Sequence, residues 1–377
     1  MIKTYCFKLY NSKKNKHLHK LIRLSAQIYN HCIALHRRYY RLYHKHLNKY
    51  KLQLHITKLK KRPKYIYWNN LNSQAIQDIT DRIDKAYKLF FSNLKRKSKC
   101  APPSFKKSIK YKSFTLKQTG YKFDTDNSVL IAGLKYKYFK SRDIIGDIKT
   151  VTIKRNALGD LYIYVTCELD CILALVRPRT GKSVGFDFGL KTYLVASDGN
   201  NIMSPLFFKE HQNTIRQLNK ELSRKQKGSH NRHKAKLALA RQHLRIVNQR
   251  KDFQFNLANK LCQDYDVICL EDLNIKAMQQ LWGKKVSDLS HSSFVEILKQ
   301  QASAKHIKVI QIPRFSPSSK TCSSCGYLLD DLPLRIRSWT CPNCNANHNR
   351  DLNAAINIFR VGASTLAGGA VSLDLSS

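Results

Sequence analysis

TCSSCGYLLDDLPLRIRSWTCPNCNANHNRDLNAAINIF, residues 321–359, decides how the rest of the chain reads. It holds two CxxC pairs, Cys322/Cys325 and Cys341/Cys344, with fifteen residues between the pairs. That spacing is the pattern of a tetrahedral zinc ribbon, because two tight turns can each aim two sulfurs at one point. Gly326 relaxes the first turn. A cytosolic redox motif needs only one such pair, so the doubled pair favours zinc. Four thiolates leave no open coordination position for water, so this zinc is structural. The chemistry then belongs elsewhere, and Asp351, at the mouth of the helix that follows, is the pointer.

Working outward, the 377 residues suffice for two or three domains with sizeable cores. A hydrophobic fraction of 42% is ordinary, but 68 Lys and Arg against 25 Asp and Glu leave a net charge of +43. A surplus that large repels itself unless a polyanion neutralises it. The sequence has no unbroken apolar run of membrane-spanning length and no signal peptide, which excludes a membrane partner at this stage. Basic residues interleaved with 19 Tyr and 16 Phe suit phosphates along a groove and bases stacked on rings. Nucleic acid is therefore the expected partner. The seven cysteines outside the ribbon are scattered without disulfide spacing, which indicates a reducing compartment.

Residues 2–10 alternate like a strand. Leu18, Leu21, Ser25, Ile28, Cys32, Leu35, Tyr39 and Leu42 then recur at steps of three and four, predicting a helix with one buried stripe. Its other faces carry His31, His36, Arg37, Arg38, Arg41, His44 and Lys45, a nucleic-acid face rather than a plain solvated one. The run 58–64 is basic, is broken by Pro63 and reads as a loop. Ser73 is expected to cap a second helix with Ile76, Ile79, Ile83, Ala86 and Phe90 turned inward. From 113 to 169 the period is two. Residues 148–155 and 161–168 flank a loop containing Gly159, a hairpin signal. With the first strand this predicts a small β-barrel interrupted by the helices. RPRTGK, 177–182, marks the boundary with the second half.

That half opens with VGFDFGLKTYLVAS, which reads as residues 184–188 in a strand, a turn, and residues 191–197 running back. Asp187 lies inside an apolar strand, an expensive place for a carboxylate unless it is paired or binds a metal. Residues 209–262 read as a basic helical hairpin broken at GSHN, 228–231, facing nucleic acid rather than forming a coiled-coil arm. DVICLEDLN, 266–274, is a buried strand ending in Glu271 and Asp272, and KVIQIP, 308–313, is another. Asp187, Glu271 and Asp351 thus sit on strand, strand and helix. Each has a bland reading, Asp351 as a residue favouring a helix N-terminus and Glu271 as a polar strand end. Together they suit two hard divalent cations, magnesium or manganese, acting on a phosphodiester. Asp272 and Asp198 are the competitors for membership, and Asp272 is expected on the opposite face of its strand from Glu271.

At this point the chain resembles a known family. VGFDFGLKTYLVASDG (184–199), LSRKQKGS (222–229), VICLEDLNIKAM (267–278), FSPSSKTCSSCG (315–326), SWTCPNCNANHNRDLNAAINI (338–358) and GASTLAGG (362–369) resemble TnpB, the OrfB proteins of insertion sequences, which are related to type V CRISPR nucleases. The resemblance covers nearly all of residues 1–370 and is most specific from 184 onward. It implies an α/β protein: a RuvC-like RNase H fold, 181–317 and 347–361, with a helical hairpin at about 209–262 and a zinc ribbon inserted at 318–346. It also implies a wedge-like β-barrel at 1–12 and 100–175, a helical recognition insert at 13–99, and a flexible tail at 362–377. Asp187, Glu271 and Asp351 become the catalytic triad with Mg2+ or Mn2+, and Cys322, Cys325, Cys341 and Cys344 the zinc ligands. The implied activity is RNA-guided cleavage of double-stranded target DNA beside a short adjacent motif, with a guide RNA from the transposon end. A separate transposase carries out strand transfer, and the setting is the bacterial or archaeal cytoplasm and nucleoid. The second reading is a guide-bound DNA-binding repressor, whose signature would be loss of one acid; all three are present. The chain departs from the family at Phe255-Asn256, where His-Lys is frequent, and at Gln300-Gln301, where Tyr-Lys is.

Overall fold

The computed structural model describes residues 2–169, 178–189, 192–273, 283, 289–333 and 335–371, with no side-chain description for 366–371. The expected strand start at Lys191, the NIKAM stretch after Leu273 and the last six residues lie outside the described residues. The backbone divides into two compact units, Met1–Leu173 and Ala174–Ser377.

In the first unit, β1 (Ile2–Lys8) pairs antiparallel with β7 (Leu161–Glu168), which pairs with β6 (Asp147–Arg155), which pairs with β2 (Ser113–Leu116). Period-two patterning is the cause: Leu161, Ile163, Val165 and Cys167 of β7 are all buried while the residues between them are not. Three short strands, β3 (Tyr121–Asp124), β4 (Ser128–Ile131) and β5 (Leu134–Lys137), make a separate antiparallel sheet. The two sheets are bridged at Leu9 and Tyr138.

Between β1 and β2 lie three α-helices, not the two expected: α1 (Asn15–Tyr43), α2 (Lys49–Lys60) and α3 (Ser73–Lys95). α2 reaches into the basic run read as a loop, and Pro63 starts a 3-10 helix, Pro63–Asn70, at the one helical position that tolerates it. The pattern hid α2 because only Leu52, Ile56 and Leu59 are buried on it. Asn72, not Ser73, caps α3, its side chain accepting from Gln74 N at 2.8 Å. The helices and the larger sheet share one apolar core that includes Phe7, Ile22, Ile79 and Ile163.

In the second unit a five-stranded sheet runs in the order β10 (Ile202–Met203), β9 (Thr192–Ala196), β8 (Ser183–Phe188), β11 (Val267–Glu271), β12 (Lys308–Ile312). β8–β9 and β9–β10 are antiparallel, whereas β8–β11 and β11–β12 are parallel. Phe207–Glu210 forms a short α4, followed by α5 (Gln212–Arg224) and α6 (His230–Asp264). The break between α5 and α6 falls where expected. Ser229 caps α6 by accepting from Arg232 N, and the Arg232 guanidinium donates to Leu222 O and Lys225 O at the end of α5, both at 2.8 Å.

Alternation sorts the sheet's two faces. Val184, Phe186, Ile268 and Leu270 pack against α6 and α7 (His291–Ala304). Gly185 and Cys269 point the other way, onto α8 (Arg350–Val371). α8 continues ten residues past the expected boundary at 361, and at Gly362 it touches the Cys269 side chain so closely that a Cβ there would meet Sγ. β13 (Ser338–Thr340) and β14 (Asn347–Asn349) form a two-stranded hairpin immediately before α8.

Candidate catalytic acids and metal-binding ribbon

The ribbon builds itself from two equivalent knuckles. Gly326 N donates to Cys322 O and Asn345 N to Cys341 O, each at 2.9 Å. The residue after the second cysteine takes a left-handed conformation in both, Gly326 at φ 79° and Asn345 at φ 55°. The four sulfurs lie within 4.8 Å of one another. Cys322–Cys344 and Cys325–Cys341 are 3.7 and 3.6 Å apart. A tetrahedron with 2.3 Å zinc–sulfur spokes has edges of roughly 3.8 Å, so the donor set fits zinc. His348 Nε2 stands 3.0 Å from Cys322 Sγ, placed to donate to the thiolate.

The acids meet on the α8 face of the sheet. Asp187 shares that face with Gly185 by alternation. The parallel register that pairs Leu270 with Phe186 brings Glu271, one step on, alongside Asp187. Gly185 lies under Ala355 and Phe359, so the first turn of α8, with Asp351, comes over the end of β8. Burial first, then the Glu271 and Asp351 carboxylates, push the Asp187 carboxyl up to about 8, with the Phe188 amide and Arg350 offsetting part of this. Burial and then Asp272 raise Glu271 as well. In a chain of +43, no Lys or Arg among the described residues pairs with Asp187 or Glu271. Two crowded, half-buried carboxylates without a protein cation are a donor set that fits a hard divalent ion.

Asp351 lies in the first turn of α8, where its charge suits the helix N-terminus, but it is not the cap. Asn349 Oδ1 accepts from both Asp351 N and Leu352 N at 3.1 Å, which leaves the Asp351 carboxylate free of capping. That carboxylate instead meets Arg337 Nη1 at 3.1 Å. The two competitors have partners of their own. Asp198 accepts from Tyr265 Oη at 2.6 Å, and Asp272 pairs with Arg314 at 2.8 Å. Asp272 is not cleanly opposite Glu271, since both line one pocket of about 190 Å³ with His291, Glu296 and Gln311. β11 ends at Glu271, so strand alternation no longer governs the next residue.

Sequence reading missed the residues that tie ribbon to helix. Asn353 and Asn357, one turn apart on α8, donate to Thr321 O at 2.8 and 2.6 Å, and Asn353 Oδ1 accepts from Ser323 N at 2.8 Å. Arg360 donates to Ser323 O. Arg350, nearly buried, donates to Pro333 O at 2.8 Å. The available signal was two Asn at i, i+4 spacing inside a helix, where Asn is a poor former and needs another reason to be there.

With this geometry in place, comparison with known proteins places the chain. Residues 164–281 match the OrfB_IS605 model, described as a probable transposase, and 291–358 match the model for the TNB domain of Cas12f1-like proteins. A Streptomyces pristinaespiralis protein named "Putative RNA-guided DNA endonuclease" is 33% identical over 222 residues, 58% of this chain and 54% of that protein. The chain thus spans about half the length of that relative. The InsQ protein of Escherichia coli K12, under the same description, is 28% identical over 315 residues, 79% of this chain and 76% of its own. A solved structure titled as the mini-RNA-guided endonuclease CRISPR-Cas_phi3 shares the fold, with TM-score 0.51 and 10% identity over 96% of this chain and 92% of the other. The fold and ribbon define a mixed α/β protein with a cluster of four cysteines whose sulfurs could hold a zinc ion. Over the matched stretches the chain is similar to the OrfB, or TnpB, proteins of insertion sequences and to Cas12f1-like proteins. No helix among the described residues is long and apolar enough to cross a membrane.

Proposed function

We propose that this protein is a transposon-associated, RNA-guided DNA endonuclease that cuts target DNA beside a short adjacent motif at a RuvC-like site. The observation carrying the reading is Asp187: a carboxylate inside a central strand, lifted to about 8 by burial and by Glu271 and Asp351. A carboxylate crowded by two others and desolvated in this way is the arrangement that functional sites use. The strand order, two antiparallel hairpin strands beside β8 and two parallel strands on its other edge, supports the RNase H topology for 181–317 and 347–361. The ribbon, 318–346, is its zinc-binding insert, held by Cys322, Cys325, Cys341 and Cys344.

In this reading Asp187, Glu271 and Asp351 hold Mg2+ or Mn2+, which when bound supplies activation of water and charge stabilisation at the departing oxygen. The chain's own part is positional. β8 and β11 present two acids side by side, Asn349 starts α8 so that Asp351 faces them, and Arg350, Asn353 and Asn357 fix α8 to the ribbon. The first unit acts as the wedge-like barrel, 1–12 and 100–175, with the recognition insert at 13–99. Its basic, Tyr-rich surfaces suit a guide RNA from the transposon end and the target duplex. Strand transfer belongs to a separate transposase, and the site of action is the cytoplasm and nucleoid.

The test is to purify the protein from cells carrying the flanking DNA, sequence the bound RNA, and offer matched duplex DNA in magnesium. Guide-dependent cutting that is lost in Asp187→Ala supports the reading. Guide-dependent binding without cutting in either magnesium or manganese replaces it with the repressor reading.

A further inference from the structure

The three acids differ in one respect. Asp187 and Glu271 have no cationic partner among the described residues, whereas Asp351 Oδ1 sits 3.1 Å from Arg337 Nη1. The two side chains are unequally placed, Arg337 being 66% exposed and Asp351 35%. The Arg337 backbone is held, because its carbonyl accepts from Arg350 N at 2.8 Å. Its guanidinium can therefore swing while its Cα stays at the mouth of the site. A guanidinium presents a forked donor that suits carboxylate and phosphate equally well.

We propose that Arg337 is an internal counter-ion that competes with the divalent cation for Asp351 and transfers to a backbone phosphate of the DNA as the substrate arrives. The inference rests on the proposed role of Asp351 as a metal ligand. A carboxylate engaged by a guanidinium gives less to a metal, so the free protein loads its cation weakly. A substrate phosphate draws Arg337 away and frees Asp351, which couples metal loading to the presence of DNA. The ribbon, which carries Arg337, thereby gains a charge role beside its structural one.

The test is Mn2+ binding to the zinc-loaded, full-length protein, read as loss of the free-ion electron paramagnetic resonance signal at fixed ionic strength. Arg337→Gln should bind Mn2+ about two- to fivefold more tightly, the range expected for losing a partly exposed ion pair. Arg337→Lys should stay near wild type. Arg335→Gln, which removes a neighbouring exposed charge, controls for bulk electrostatics and should change little. In an Asp351→Asn background the Arg337→Gln gain should vanish. At saturating Mn2+, Arg337→Gln should cut matched DNA more slowly than wild type, because the phosphate has lost its guanidinium. Unchanged or weaker Mn2+ binding in Arg337→Gln, or an equal gain in Arg335→Gln, overturns the competition. Equal cutting overturns the transfer to phosphate. Mn2+ binding indifferent to Asp187→Asn and Glu271→Gln would instead overturn the metal site itself, a result distinct from either.

Discussion

Gly185 of β8 lies directly against the backbone of Phe359 in α8: a Cβ at Gly185 would stand 2.5 Å from Phe359 N and 2.4 Å from Ala355 O. No side chain fits there, so the sheet and the helix approach through bare backbone. That contact sets where the first turn of α8 lies over Asp187. Gly185→Ala should therefore lower stability by about 1–3 kcal/mol, the usual cost of overpacking, and should lower cleavage beyond that by displacing Asp351. Thermal melts and cleavage rates below the melting range check both parts. Wild-type cutting in a destabilised variant would show that the helix position is not critical.

Replacing Asp187, Glu271 or Asp351 by Ala should each lower cleavage by about 100-fold or more, in line with loss of a main electrostatic element. Guide-RNA binding should survive. Asp272→Ala is the control: it loses an exposed pair with Arg314, each partner 43% exposed, worth less than about 1 kcal/mol. If the three variants lose RNA binding in step with cleavage, these acids are structural.

The metal-free protein should lose stability as pH rises from the acid side. The folded Asp187 carboxyl is raised from 3.8 to about 8, so between those values the folded state keeps a proton that the unfolded chain releases. Its stabilising contribution is complete below pH 3.8 and is lost as pH climbs through 8. Urea titrations at roughly pH 5 and pH 9 without added divalent ions should show this fall, and Asp187→Asn should flatten it. Identical slopes in the two proteins would remove burial of this carboxylate as the cause.

Zinc and cleavage should be separable at the ribbon. Cys341→Ser removes a ligand and should lose both zinc and cutting. Asn353→Ala keeps all four cysteines and leaves Asn357 on Thr321 O, but it strips the buried Ser323 N–H of its acceptor at a cost of about 1–3 kcal/mol. It should retain zinc by metal analysis while cutting more slowly. Full activity in zinc-free Cys341→Ser would mean that the ribbon does not position Asp351.

The ribbon could be read from the chain because its information is local: ligand spacing, a Gly after one CxxC pair and a short gap before Asp351. β1, β6, β7, β8, β9, β11 and β12 were legible for the same reason, since their patterning is written into neighbouring residues, whereas the strands of two to four residues were too short to show it. α2 was not, because its three buried residues on a basic background look like a solvated loop. Nor was the cap of α8 read from the sequence: Asn349 takes that role, accepting from Asp351 N and Leu352 N. The sequence singled out Asp187, Glu271 and Asp351 as a set, each of them with a bland reading when taken alone. Only the tertiary structure decided that they face each other, because strand register and helix docking bring together residues far apart in the chain. The same holds for Arg337, an unremarkable basic residue among 68, which matters only because the ribbon's fold lays it on Asp351.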